Sequence, residues 1–142
     1  MSKGLRAAAH RFVLDRPASI EGHVTIRMAA VHDFLDDSEA GKREGRYRTA
    51  ALPYLPFRDG AYDIALSSHF LFLYSDHFDT EQHVANIAEM LRVATEARIF
   101  PLLDLDGEPS RHVEPVHDLL VDREFNCEIL RVDYEFQKTA TA

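Results

Sequence analysis

The sequence is short of cysteine, since Cys127 is the only one among its 142 residues and no disulfide can form within the chain. Zinc ribbons and cysteine-rich fingers need several thiolates and are excluded for the same reason, and a reducing compartment is the natural setting. No apolar run approaches the roughly eighteen residues of a membrane helix. The first ten residues also lack the apolar stretch of a secretory signal. We therefore predict a cytoplasmic protein that does not bind membranes.

Positive charge is also scarce, because 16 lysines and arginines face 24 aspartates and glutamates, for a net charge of −8. Binding to phosphate backbones needs a concentrated basic surface, so direct nucleic-acid binding is not expected. The hydrophobic share of 46% and the charged share of 28% are typical of globular proteins. We predict a single domain over residues 1–142, with a helical segment at 1–46 and an α/β part at 47–142.

The spacing of apolar residues predicts a series of helices and strands. Helical spacing is found at residues 5–14, 25–35, 79–94 and 114–121. Four other segments have the bounded apolar or extended pattern that predicts strands: residues 47–52, 62–70, 97–103 and 127–136. Residues 36–45 are charged and contain two glycines, which predicts a solvated connection. From residue 62 onward, strands and helices alternate as in parallel β–α–β units, so the predicted class is α/β.

Individual residues in these segments predict helix caps and a candidate ligand-binding edge. Ser19 is a candidate N-cap for the second helix, and either Asp79 or Thr80 is a candidate N-cap for the third. The run at residues 62–70 is bounded and mainly apolar, which predicts a strand buried on both faces of a parallel sheet. Ser67, Ser68 and His69 then lie at its carboxyl end, where ligands bind in open α/β sheets.

Two motifs resemble those of a known family. The segment LPFRDGAYDIAL at residues 55–66 resembles the signature that leads into the fourth strand of type 11 S-adenosylmethionine (SAM)-dependent methyltransferases. The segment EMLRVA at residues 89–94 is similar to the helix end that precedes the fifth strand of that family. Three further segments resemble a bacterial subgroup of it: SHFLFLYS at 68–75, RIFPLLDL at 98–105 and YEFQ at 134–137.

The resemblance implies a class I methyltransferase with a Rossmann-like fold, a mostly parallel sheet and flanking helices. It implies SAM as cofactor and transfer of its methyl group to an unknown acceptor. Ser67 and Ser68 would bind the amino-acid end of the cofactor. Ala51 and Leu52 stand where many relatives have an Asp-Ala pair on the adenine side, and His69 would be a catalytic acid or base, since histidine titrates near neutral pH.

The sequence departs from this family in what it lacks. None of its six glycines forms the G-x-G turn that brings backbone close to the cofactor, and the first two strands and the last strand of the family have no counterpart. We therefore expect a partial fold, from a fragment of a longer gene or one half of a split enzyme. Its open strand edge predicts self-association or a partner chain. The alternative function is a non-catalytic remnant that acts as a protein-interaction module through this edge.

Several residues allow two interpretations. His69 is a general base or a hydrogen-bonded histidine at a strand end, and Ser67 and Ser68 bind the cofactor or complete backbone hydrogen bonds. The aromatic residues between 70 and 78 line a pocket or, more simply, fill the core. No metal is predicted, because His69, His77 and His83 lack the i, i+4 spacing of a shared ion, which favours solvated loop positions. Cys127 is expected in the core.

Overall fold

The computed structural model describes residues 19–134, in which two compact units are distinguished. The first unit consists of residues 19–49 and 132–134, and the second of residues 50–131. The predicted helix at residues 5–14 and the last two residues of the predicted strand at 127–136 lie outside the described residues. Among the helices that are described, none has the length and apolar character needed to cross a bilayer.

The first unit is built on α1, which spans Ile20–Arg43 and begins at the predicted cap. The Oγ atom of Ser19 accepts a hydrogen bond from the N–H of Gly22 at 3.0 Å. The prediction of a solvated connection at residues 36–45 was wrong, because the helix continues through most of it. Its charged residues lie on an exposed helix, where Lys42 pairs with Glu39 one turn earlier at 2.9 Å.

A glycine ends α1 in a Schellman motif. Gly45 has a positive φ of 71°, a conformation that glycine adopts without steric cost. Its N–H donates to the carbonyl oxygen of Lys42 at 3.1 Å, and the N–H of Arg46 donates to that of Gly41 at 2.8 Å. Gly45, the second glycine of residues 36–45, therefore ends the helix, whereas Gly41, the first, lies inside it.

The predicted strand at residues 47–52 was wrong, and its first residue packs on α1 instead. The ring of Tyr47 lies against Gly41 so closely that a Cβ atom there would overlap Cε2 of the tyrosine. The hydroxyl of Tyr47 donates to Asp37 at 2.7 Å, and Arg46 donates two hydrogen bonds of 2.7 Å to the same carboxylate. Arg46, followed by Tyr47, lowers the pKa of Asp37 to about 2. Contacts with α1 thus replace strand pairing.

The second unit is α/β, as predicted from the alternation of its segments. Strand β1 (Tyr62–Ser68) is followed by a 3-10 turn at Phe72–Tyr74, then by α2 (Thr80–Val93), β2 (Ala94–Phe100) and α3 (Val113–Asp122). The two strands pair in parallel. A helix thus connects two parallel strands of one sheet, the β–α–β arrangement predicted from the sequence.

Local sequence accounts for the bounds of α2 and β2. Asp79 is the N-cap of α2: its side chain accepts from the N–H of Gln82 at 2.8 Å, and the Gln82 side chain accepts from the N–H of Asp79 at 2.9 Å. β2 follows α2 without a loop, three residues earlier than predicted. It ends at Phe100 because Pro101 has no N–H to continue the ladder.

The core of this unit lies between α2, α3 and one face of the sheet. Its buried members are Leu71, Phe72, Val84, Ile87, Met90, Val116 and Leu120. Ala65, Ala97 and Ile99 face this core from the sheet. The opposite face is exposed at Ile64 (44%) and Leu66 (74%), so the prediction of burial on both faces was wrong. Within the described residues of this unit, helices pack on one face of the sheet only.

The last predicted strand is irregular as far as the structure describes it, to residue 134. Two of its apolar residues remain exposed, Ile129 at 59% and Leu130 at 73%. β1 and β2 pair only with each other among the described residues, so this segment has no strand to join. The apolar residues of this segment are therefore not sufficient to form a strand. Cys127 is half-buried against the core, as predicted, and burial raises the pKa of its thiol.

Candidate functional site at the carboxyl end of β1

β1 ends in two serines whose side chains point to opposite faces of the sheet. Ser67 is paired with Ile99 and is 9% exposed, and its Oγ atom has no hydrogen-bond partner within residues 19–134. Ser68 is exposed, and its Oγ lies 2.8 Å from Nδ1 of His69. A buried hydroxyl without a partner is uncommon and retains its capacity for a hydrogen bond. The two hydroxyls therefore offer one buried and one exposed polar contact at this edge.

His69 turns the chain out of the sheet directly after these serines. Its φ is 55°, in the left-handed region that costs a non-glycine residue about 1 kcal/mol. The N–H of His69 donates to the carbonyl oxygen of Phe100 at 2.6 Å, which extends the ladder between the two strands by one bond. The His69 and Phe100 rings meet edge to face, with centroids 5.5 Å apart. The carboxyl ends of β1 and β2 are thereby tied together.

The surroundings of the His69 ring bear on its predicted role. Nδ1 is engaged with Ser68, and Nε2 is buried. A general base must come within hydrogen-bond reach of the proton that it removes. This arrangement gives more support to a strand-end histidine than to a base, and the catalytic assignment of His69 stays a prediction.

The two predicted adenine-side residues have different surroundings. Ala51 is exposed and forms an isolated antiparallel bridge with Tyr54, whose N–H donates to the Ala51 carbonyl oxygen at 2.9 Å. Leu52 is partly buried and packs against the core of the second unit. Neither side chain offers a polar group, so hydrogen bonding to a ligand at these positions is limited to the backbone. Their assignment to the cofactor stays a prediction.

Glu89 and Arg92 of α2 hold the loop that precedes β1. Arg92 donates to the carbonyl oxygens of Leu55 and Phe57 at 3.0 and 2.9 Å, to the Asp59 carboxylate at 2.6 Å, and twice to Glu89 at 2.8 Å. Glu89 accepts the N–H of Leu55 at 2.6 Å. We call this set of contacts the Glu89–Arg92 clamp. It joins the two motifs identified in the sequence, residues 55–66 and 89–94.

Electrostatics makes the clamp a permanent ion pair near neutral pH. Arg92, and then the Leu55 N–H, lower the pKa of Glu89 to about 2 against the opposing effect of burial. Glu89 and Asp59 in turn raise the pKa of Arg92. Sequence reasoning missed this contact although it identified both motifs, because their residues lie more than thirty positions apart. The signal available was an acid and a base three residues apart on one helix face.

The histidines considered for a metal do not come together. His77 is exposed, as expected for a loop, but His83 is fully buried in the first turn of α2, so the prediction of a solvated position was wrong for it. Within residues 19–134 no group of three or more potential ligands is placed to hold a metal ion. Among the aromatic residues between 70 and 78, Phe72 lies in the core, whereas Phe70 and Tyr74 remain partly exposed.

Comparison with known proteins identifies an archaeal relative. The chain is similar to the uncharacterized protein MJ0045 of Methanocaldococcus jannaschii, with 34% identity over 105 residues. The match covers 74% of this chain and 44% of the archaeal protein, so the chain spans less than half of that protein's length. No family model matches the sequence, and no solved structure matches it.

Proposed function

We propose that this chain is part of a class I SAM-dependent methyltransferase domain with a Rossmann-like fold. The observation that supports this proposal most directly is the position of Ser67, Ser68 and His69. They leave the sheet at the carboxyl end of a parallel β–α–β unit, the edge where open α/β sheets bind ligands. The loop before β1 is the methyltransferase-like motif, and it is held to α2 by the Glu89–Arg92 clamp.

The residues at this edge fit the cofactor in part. The buried Oγ of Ser67 and the exposed Oγ of Ser68 suit the polar amino-acid end of SAM, whereas Ala51 and Leu52 present no side-chain polar group for an adenine. When bound, the sulfonium of SAM supplies the reactive methyl group, so the protein's contribution is mainly to position donor and acceptor. In this proposal the chain supplies one wall of the cleft. A glycine-rich opposite wall would come from a segment outside these 142 residues.

Calorimetric titration with SAM tests the proposal on two proteins. The archaeal protein is more than twice as long as the segment that matches this chain, so it has room for the opposite wall. We expect it to bind SAM with a dissociation constant in the micromolar range, about −8 kcal/mol. This chain alone should bind at millimolar concentrations, about −4 kcal/mol.

ATP serves as the matched control, since it shares the adenosine of SAM but not its amino-acid end. Binding of SAM to the archaeal protein at least tenfold more tightly than ATP supports the proposal. If the archaeal protein releases no heat with SAM, or binds ATP equally well, the proposal is wrong.

The second candidate is an interaction module that acts through the open face and edge of β1. It is favoured by the exposure of Ile64 and Leu66, which lie side by side on the uncovered face of the sheet. A second copy of this chain is the occupant to test. Under this candidate, Leu66→Lys weakens self-association at least tenfold in sedimentation equilibrium. Leu130→Lys, at an equally exposed leucine outside the sheet, leaves it unchanged. A monomeric wild-type chain would contradict this candidate.

A further inference from the structure

Buried polar side chains meet beside the first turn of α2, a region to which the proposed function assigns no role. His83 has 0% exposure. Its ring stacks on those of Phe72 and His112, with both centroids 4.9 Å away and both planes tilted by 27°. Ser75, Ser110 and His112 are buried around it. Two stacked histidines in a small core are unusual, because their charged forms would repel each other and lose hydration.

The hydrogen bonds determine where the protons lie. A carbonyl oxygen only accepts, so Nδ1 of His83 donates to the Asp79 carbonyl at 2.7 Å, and Nε2 of His112 donates to the Ser75 carbonyl at 3.2 Å. In the neutral rings, Nδ1 of His112 then accepts from the Thr80 hydroxyl at 2.9 Å. Nε2 of His83 has no hydrogen-bond partner within residues 19–134. Both imidazoles therefore fit this site in the neutral form.

A directed chain of hydrogen bonds passes beside the stack. The Ser75 hydroxyl donates to the Phe72 carbonyl oxygen at 2.5 Å, so the Ser110 hydroxyl must donate to Ser75 at 2.5 Å. The N–H of His112 in turn donates to Ser110 at 3.2 Å. The chain thus joins the segment after β1 to the residues that precede α3.

The surroundings of His112 also favour its neutral form. Burial, and next the proximity of His83, lower the pKa of His112, and Arg111 adds to this effect. The Ser75 carbonyl and Asp79 act in the opposite direction. Arg111 is paired with the exposed Asp76 at 2.8 Å, which reduces its influence. The exposed titratable residues of the adjoining segments include His77, Glu81 and Glu114.

We propose that the His83–His112 stack is a proton-operated latch between residues 72–83 and residues 110–112. With both rings neutral, the stack and the serine chain hold the two segments together. A proton added to Nε2 of His83 finds no acceptor among residues 19–134 and creates a buried charge against a second imidazole. The junction then opens. This inference does not depend on the proposed function, because it uses only contacts within the fold.

Amide hydrogen exchange of the full chain tests the latch between about pH 7.5 and about pH 5.5, after correction for intrinsic exchange. We expect protection of residues 72–83 and 110–113 to fall at least tenfold across this interval. Residues 87–93 in the second half of α2 should change less than threefold. This interval lies above the titration of carboxylates, so the Glu89–Arg92 clamp stays intact.

The variant His83→Phe tests whether His83 is the residue that takes up the proton. Phenylalanine keeps an aromatic ring in the stack but cannot take up a proton, so the fall in protection should shrink to less than threefold. The matched control is His77→Gln, at an exposed histidine of the same segment, which should retain the full tenfold fall.

Three results overturn the inference. They are unchanged protection of the wild-type chain, an equal fall throughout the second unit, and a tenfold fall that persists in His83→Phe. If His83→Phe does not fold, the wild-type comparison alone decides, because a local and a global fall are distinguished residue by residue.

Discussion

At its C-terminal end, α2 holds the loop before β1 with charged side chains, whereas at its N-terminal end it holds the segment after β1 with neutral ones. Arg92 is partly exposed and donates two hydrogen bonds to the largely buried Glu89, so a charged ion pair is favourable there. His83 and His112 are buried, and there a stack of neutral rings avoids the cost of desolvating a charge. One helix thus ties two loops by different means, each suited to its degree of burial.

The largest effect should follow removal of the arginine of the clamp. Arg92→Met keeps the side-chain stem but loses five hydrogen bonds, and it leaves Glu89 largely buried without its cation. We expect the Tm to fall by about 10 °C in a thermal unfolding scan followed by circular dichroism. Arg98→Met, which breaks an exposed pair with Glu96, should change the Tm by less than about 2 °C. Equal losses in the two variants would show that the clamp contributes no more than a surface ion pair.

A smaller effect, with a distinctive pH dependence, is expected for Glu89→Gln. Near neutral pH it should reduce the free energy of unfolding by about 2 kcal/mol in urea denaturation, because three charge-assisted hydrogen bonds are weakened. The pKa of Glu89 is lowered in the folded state, from 4.5 to about 2, so its contribution is complete above pH 4.5 and is lost as the pH falls toward 2. Wild type and variant should therefore converge in acid. A difference between them that stays constant from neutral pH to pH 2 would contradict this explanation.

The smallest effect is expected for the buried, uncharged contacts near the N-terminal end of α2. Ser110→Ala removes one donor and one acceptor from the serine chain and should cost about 1 kcal/mol. Protonation opens the junction that contains this serine chain, so the cost should be smaller at about pH 5.5 than at about pH 7.5. Ser68→Ala, at an exposed serine, is the control for loss of a hydroxyl. An equal cost for Ser110→Ala at the two pH values would mean that the serine chain does not open with the latch.

The sequence predicted the elements that have a strong apolar pattern. β1, α2 and α3 were placed within a few residues. Ser19 was recognised as a cap, and Asp79 was one of two candidates for the other cap, because such signals are local. Distant contacts were not predicted. Tyr47 packs on Gly41 and is not part of a strand. The segment after residue 125 is irregular as far as residue 134 and pairs with no strand there.

At the candidate site, the same distinction applies. The order of strand and helix along the chain correctly predicted that Ser67, Ser68 and His69 lie at the carboxyl end of β1. The burial of His83 depends on His112, which follows it by 29 positions, and the clamp depends on residues equally far from its helix. One sequence does not reveal such pairs, because nothing in local spacing distinguishes them from exposed charges.

The central claim is that the carboxyl end of β1 forms one wall of a SAM cleft. The most direct measurement is a residue-resolved NMR titration of this chain with S-adenosylhomocysteine up to about 5 mM, where binding of about −4 kcal/mol is detectable. We predict shift changes concentrated at Ser67, Ser68 and His69, and none at Asp63 near the start of the same strand. An unchanged spectrum, or changes that avoid the carboxyl end of β1, would contradict the claim.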